Sequence, residues 1–297
     1  MKSTAALFAL IFPCVSLSGD AIVACGEKFS IGAPVVLWSE PGGFDAYKIY
    51  PAAEKSKAGR KRYDLRKPEL DDKAKLDALR EIVDQFVLHY DVCGTSKTCY
   101  KVLNDRGLSV HFMLDLDGTI YQSLDLKEKA WHATIANARS VGVEIAHIGA
   151  YKVDAVPDKL VDWYVKDADG KTRITIDKRF GEQHWRLPGF TPRPRLPDAI
   201  VGDIQGQKLR MYDFTPEQYD SLIKLTAGLT RVFPKIRCDY PKDASGKLIP
   251  HKLDDEELRR YTGVLGHYHV QTNKTDPGPA LDWEYLIREA DKLRHKS

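Results

Sequence analysis

Beyond its first thirty residues the chain has no apolar run of the ~18–20 residues needed to cross a bilayer. It has little charge excess. A formal net charge of +3 is too small to imply a nucleic-acid partner. No internal repeat is present, and no HExxH-like helix motif, so a zinc protease of that class finds no support. With 43% hydrophobic and 29% charged residues the composition is that of a soluble globular protein. Its 297 residues can bury a sizeable core as one large domain or two small ones.

The N-terminus departs from this pattern. Met1 and Lys2 precede an apolar run from Ala5 to Leu17, the charged start and apolar centre of a secretory leader. Pro13 and the small residues after it argue against a buried first helix. Two exits compete. Cleavage follows Ser18 or a nearby small residue, or processing occurs at Ile22-Val23-Ala24-Cys25, which resembles a lipoprotein box and would make Cys25 a lipid anchor. Asp20 counts against the second. The leader is expected within residues 1–24, and the product is expected in the periplasm or cell envelope, as a monomer without a transmembrane span. Five cysteines suit export. Cys14 leaves with the leader; Cys93 and Cys99 close a short loop where a disulfide is reasonable in an oxidising compartment. Cys25 and Cys238 pair with each other or stay single.

Residues 25–68 read as an irregular strand-and-loop arm wrapping the main domain, with the basic run at 54–62 as a solvated face. The main domain is expected over 69–297. After Pro68, acidic residues followed by Leu76, Leu79, Ile82 and Val83 predict an amphipathic helix. Phe86-Val87-Leu88 predicts a buried strand ending on His89, and a brief helix is expected over 97–106. Asp117-Gly118 between alternating apolar residues predicts a hairpin. Residues 140–146, SVGVEIA, predict a strand carrying one charge, Glu144. From 147 to 213 the periodicity fades into an insertion with strand-like pieces near 172–176 and 208–212. Its Trp and Tyr residues either wall a groove or form a core of their own, the second being the better reading. Thr215-Pro216 predicts a capped helix start, and a last helix begins near Asp282. Alternating strands and helices predict a mixed α/β fold: a central mixed sheet flanked by helices.

The chemistry gathers near the end, in GHYHVQTNKTDPGPALDW at 266–283. Imidazole and carboxylate are the usual zinc ligands, and a catalytic zinc keeps one position open for water. A histidine-rich loop alone is more often a plain turn, and a lone strand-end histidine more often structural. Here His89 at a strand end, His267 and Asp276 on this loop, and Glu144 on another strand occur in one chain. Two imidazoles and one carboxylate leave a zinc site of net charge +1, which helps draw the pKa of water toward ~7. Glu144 would then take the proton from water and pass it to a leaving amine, and Lys274 would hold the developing oxyanion.

These residues, in this order, resemble the zinc-dependent N-acetylmuramoyl-L-alanine amidases of the type-2 amidase and peptidoglycan-recognition-protein superfamily. The matching blocks are FVLHYD, SVHFMLDLDGTIYQ, AWHA at 130–133, NARSVGVEIA at 137–146 and GH…KTDPGPALDW, together covering roughly 70–148 and 214–295. The resemblance implies a mixed sheet with helices on both sides and zinc at the floor of a groove. It implies that His89, His267 and Asp276 bind the ion, that Glu144 is the catalytic carboxylate and that Lys274 is the oxyanion lysine. His267 is preferred over His269 because it follows Gly266 in the family's Gly-His pattern. His132 is expected to touch substrate; Asn137 and Arg139 are expected to line the groove, although Arg139 also suits a strand cap. Cys93 and Cys99 are similar to a disulfide loop of animal members. The implied reaction is hydrolysis of the amide joining N-acetylmuramic acid to L-alanine, with peptidoglycan or muropeptides as substrate. A non-cutting binding module on the same fold is the alternative, disfavoured because all three ligands and both helpers are present. His111 is expected to be a satisfied core residue, and His147, His184, His251 and His295 to have no evident partner.

Overall fold

The computed structural model describes residues 19–48, 61–67, 75–155, 158–177 and 185–295. The expected leader run, most of the basic run at 54–62, the start of the helix after Pro68, Cys14 and His184 lie outside them.

The chain opens with a hairpin, β1 (Gly19–Ala24) and β2 (Glu27–Leu37), and a short β3 (Tyr63–Leu65). Helix α1 (Leu76–Arg80) leads into β4 (Gln85–Tyr90), followed by α2 (Ser96–Arg106). Then come β5 (Phe112–Leu114), β6 (Ile120–Gln122), β7 (Glu128–Ala130) and β8 (Ser140–Ile145). Residues 147–213 hold β9 (Tyr151–Lys152), α3 (Asp158–Trp163), β10 (Tyr164–Lys166), β11 (Thr172–Ile174), β12 (Ile200–Ile204) and β13 (Gln207–Met211). The remainder is α4 (Pro216–Val232), α5 (Asp255–Arg260), β14 (Gly263–Gly266), α6 (His267–Val270) and α7 (Trp283–Arg294). No helix among the described residues is long and apolar enough to cross a membrane.

Seven strands form the central sheet in the order β1-β2-β6-β5-β8-β4-β14. The pairs β5·β8, β8·β4, β4·β14 and β2·β6 are parallel, while β5·β6 and β1·β2 are antiparallel, so the sheet is mixed. Parallel strands are covered on both faces, which is why β4 reads as a continuous apolar run rather than an alternating one. Phe86, Leu88 and Tyr90 point into the large core that also holds Leu222, Leu225 and Leu229 of α4. The alternate residues Val87 and His89 therefore point to the opposite face. On that face α2 packs against β5, with Cys99 and Leu103 against Met113. One sheet face is thus a core and the other, at the C-terminal strand ends, is a cleft.

Helix α4 starts where its sequence says it should. The Thr215 side chain accepts the Gln218 N–H at 3.0 Å and the Gln218 side chain accepts the Thr215 N–H at 3.0 Å, a reciprocal capping box with Pro216 in the first turn. Thr215 also donates its hydroxyl to the Leu116 carbonyl, tying this helix to the β5–β6 turn.

The N-terminal segment differs from a wrapping arm. β1 and β2 are integral strands of the central sheet, and Ile22 and Ala24 are fully buried in the main core. A leader boundary at residue 24 falls inside this hairpin, and processing at Cys25 would remove a strand. Cys25 occupies the hairpin turn with φ 52°. Cys93 and Cys99 are both buried thiols rather than a disulfide, and Cys25 and Cys238 are likewise unpaired. Within the insertion, Leu160, Trp163, Tyr164 and Ile174 cluster with Leu116 and Ala146 of the main domain, with Trp185 and Phe190 packed against them. Among the described residues, none of the insertion's aromatic side chains lines the cleft described next. His147 does have partners: its ring faces the Tyr212 carbonyl and the Tyr164 hydroxyl, each at 3.0 Å.

Candidate active site

The register of two neighbouring parallel strands begins the site. His89 on β4 lies opposite Glu144 on β8, and Glu144 lies opposite Met113 on β5. Both side chains share one sheet face at its C-terminal edge, where open α/β sheets place ligands. The third strand, β14, pairs with β4 up to Gly266↔Leu88, so the next residue, His267, emerges beside His89. Gly266 is required there: a β-carbon would lie 2.7 Å from Pro277 Cδ and 2.9 Å from the Tyr268 ring. The segment 271–278 then folds back. Tyr268 N–H donates to the Asp276 carbonyl at 3.1 Å, and Thr275 shares a 2.6 Å hydroxyl–hydroxyl bond with Tyr90. These contacts return Asp276 to the two imidazoles.

The donor atoms converge. His89 Nδ1 to His267 Nδ1, His89 Nδ1 to Asp276 Oδ2 and His267 Nδ1 to Asp276 Oδ2 are each 2.9 Å. All three residues are buried, and they are the only such ligand group among the described residues. Burial, then the neighbouring His267, pushes His89 down to about 4, so its imidazole is neutral at ordinary pH. Burial works against ionisation of Asp276, but its bonds to His267 and His89 prevail and hold its carboxyl well below the usual range. Two imidazoles and an ionised carboxylate around one point are a donor set that fits zinc, whose bonds to such atoms are about 2.0–2.2 Å.

Beside these donors lies a cleft of about 150 Å³ lined by Glu144, Lys274, Trp131 and Arg106, among others. Glu144 Oε2 is buried with no hydrogen-bond partner. Burial, then the charges of Asp276 and Asp91, raises the Glu144 carboxyl well above its ordinary value, with Lys274 pulling the other way. A carboxylate without an internal partner, facing a cleft that holds a lysine, is equipped to exchange protons with whatever enters.

The other expected site residues divide. His132 lines the cleft, but its Nδ1 lies 3.0 Å from His89 Nε2, so it stands behind a donor. Asn137 turns inward: its Oδ1 accepts the N–H groups of His132 and Ala133 at 3.2 and 2.6 Å. Arg139 donates to Asp84 through Nε and Nη2, to the Arg259 carbonyl through Nη1 and to the Tyr261 carbonyl through Nη2, so it clamps the entry of β4 rather than the groove. Neither Asn137 nor Arg139 lines the cleft. His269 is fully occupied, accepting Gly266 N–H at Nδ1 and bonding the Ile249 carbonyl through Nε2, which leaves His267 as the residue facing Asp276.

Three participants escaped the sequence reading. Gln271 Oε1 lies 2.7 Å from His267 Nε2; its spacing of four from His267 was the available signal. Ser140 lies behind His132 at 3.2 Å. Asp91 lines the cleft with one oxygen accepting three backbone N–H groups and the other unpartnered, and burial pushes its carboxyl up to about 7. No pattern in the sequence marks it.

Comparison with known proteins agrees with this arrangement. The family model described as N-acetylmuramoyl-L-alanine amidase matches residues 79–279, a span containing every residue of the candidate site. No curated protein sequence matches the chain. Among solved structures, AmiD from E. coli in complex with an anhydro-muropeptide substrate is 17% identical, covering 77% of this chain and 66% of its own at a TM-score of 0.40. A selenomethionine derivative of AmpD is 16% identical, covering 77% and 89% at 0.37. LysC from Clostridium intestinale URNW is 15% identical, covering 72% and 88% at 0.36. Superpositions this partial add no weight of their own. The family match spans most of the chain and both ends of the site, and by it the chain belongs to the N-acetylmuramoyl-L-alanine amidase family, whose reaction is hydrolysis of the amide between N-acetylmuramic acid and L-alanine in peptidoglycan or muropeptides.

Proposed function

We propose that this amidase is zinc-dependent, that His89 Nδ1, His267 Nδ1 and Asp276 Oδ2 hold the ion, and that Glu144 and Lys274 carry the proton and charge movements. The observation that carries this reading is the 2.9 Å triangle of donors beside a buried, unpartnered Glu144 oxygen. When bound, zinc supplies Lewis acidity, lowering the pKa of water and polarising the scissile carbonyl. Glu144 takes the proton that attacking water gives up and returns it to the departing L-alanine nitrogen. Its raised proton affinity suits the second half of that task, because a carboxylate that holds a proton can deliver it. The Lys274 ammonium, in the same cleft, offers its hydrogens to the oxygen on which negative charge develops.

The enzyme is further proposed to be exported, its leader ending after Ser18 and not at Cys25, because the first arrangement keeps β1 in the sheet. The mass of the mature protein from cells tests this directly: an N-terminus at Gly19 supports it, and a lipidated N-terminus at Cys25 overturns it.

Digestion of purified peptidoglycan, with products identified by mass, tests the main reading. New free L-alanine amino termini, abolished by a chelator and restored by zinc, are expected. Binding without cleavage would assign the chain to recognition instead, and cleavage indifferent to chelator would remove zinc from the mechanism.

A further inference from the structure

We propose that His132 is a positioning residue that fixes which nitrogen of His89 is offered to the metal; this rests on the zinc reading of the site. A neutral imidazole carries one N–H and one lone pair, so the partner of one nitrogen decides the role of the other. His89 Nδ1 is one corner of the donor triangle, and its Nε2 lies 3.0 Å from His132 Nδ1. If His132 Nδ1 accepts, the His89 proton stays on Nε2 and Nδ1 is left bare for the ion. His132 can accept there only with its own proton on Nε2, and that atom has an acceptor, Ser140 Oγ, at 3.2 Å. The chain of donation therefore runs from His89 to His132 to Ser140, the first residue of β8.

Two further features hold His132 in this role. Asn137 accepts the backbone N–H groups of His132 and Ala133, setting the loop that carries the ring. Gly142 lets the ring lie against bare β8 backbone, since a β-carbon would come within 2.4 Å of His132 Nδ1. The rings of His89 and His132 lie 5.2 Å apart between centroids, with their planes crossed at 82°. His267 receives the same treatment from a different group, its Nε2 facing Gln271 Oε1. Both imidazoles thus present Nδ1 inward with Nε2 secured outward, one by an amide of its own turn and one by an imidazole from 43 residues away. Such outer partners set tautomer and ring orientation and are worth about 10–100-fold in metal affinity.

The test measures zinc affinity by competition with a chromophoric chelator in the full-length protein and in His132→Leu, His132→Gln and Gly142→Ala. Long-range ¹⁵N–¹H NMR of the zinc-loaded proteins reads which nitrogen of His132 carries the proton. His132→Leu is expected to weaken zinc binding about 10–100-fold while leaving KM of the zinc-saturated enzyme unchanged. His132→Gln, whose side-chain oxygen accepts a hydrogen bond, should recover most of the loss. Gly142→Ala should mimic His132→Leu with the histidine still in the chain, and it serves where His132→Leu does not fold. Zinc-loaded wild-type protein should show His132 protonated on Nε2, leaving its Nδ1 to accept from His89. Unchanged affinity in both His132→Leu and Gly142→Ala, or a His132 proton on Nδ1, overturns the proposal. So does a raised KM with unaltered zinc affinity, which makes His132 a substrate contact. A wild-type protein that binds no zinc strikes the zinc reading itself, whereas the other outcomes strike only the role of His132.

Discussion

Replacing Glu144 by Gln removes a proton acceptor while preserving shape. The backbone of β8 is held in register by β4 and β5 on either side, so the substitution leaves the strand in place. The donor triangle does not include Glu144, and zinc content should match wild type. General acid–base groups contribute about 10²–10⁴ in rate, which is about 3–5 kcal/mol of barrier at 1.36 kcal/mol per tenfold. The expected result is a kcat lower by that factor with KM little changed, measured on a soluble muropeptide at zinc saturation. A second readout is independent of turnover. In the chelated protein the folded-state Glu144 carboxyl titrates well above its ordinary value of 4.5 because of burial. The folded state then holds a proton that the unfolded state has already lost, so this group's contribution is full below 4.5 and is lost as pH rises through the folded value. Denaturation midpoints taken across that window should fall in wild type and lose this component of the slope in Glu144→Gln. Full activity of Glu144→Gln, or identical pH slopes, would refute the reasoning.

Three more outcomes follow from the same geometry. Lys274→Met should lower kcat by about 10²–10³, the cost of losing one oxyanion donor, with zinc content intact; steady-state kinetics and metal analysis separate the two. Arg139→Ala should lower the melting temperature by loss of the Asp84 pair and two carbonyl bonds, a cost of about 2–4 kcal/mol for a partly buried charged clamp, with KM unchanged. A rise in KM without destabilisation would return Arg139 to the groove. A chain beginning at Gly19 should be soluble and active, whereas one beginning at Cys25 loses β1 with Ile22 and Ala24 from the core and should be insoluble or cooperatively unfolded by calorimetry.

Much of this site was legible in the sequence because its parts sit at marked places. His89 closes an apolar strand, Glu144 is the lone charge in another, and Thr215-Pro216 announces the helix that closes the core. The Asp117-Gly118 turn likewise gave the β5–β6 hairpin at its true position. The N-terminal hairpin was missed because Gly19–Ala24 follows directly on a leader-like run, and a short apolar strand there has the composition of a leader's end. Arg139 and Asn137 looked like groove residues because a polar side chain next to a catalytic strand carries no mark of which way it faces; tertiary partners 55 and 122 residues away decide that for Arg139. Gln271 and Ser140 were passed over for a related reason. Their role is a single hydrogen bond to the far side of an imidazole, and such a bond leaves no periodicity or composition behind.

The site also has an order in time. His89 and His267 lie 178 positions apart, and the strand that delivers the second imidazole, β14, is the last to join the sheet along the chain. Chains emerge from the ribosome N-terminal end first. A nascent polypeptide therefore carries Glu144, His89 and most of the sheet while still lacking two of its three donors. The donor cluster is therefore incomplete until synthesis has passed Asp276 and β14 has docked beside β4.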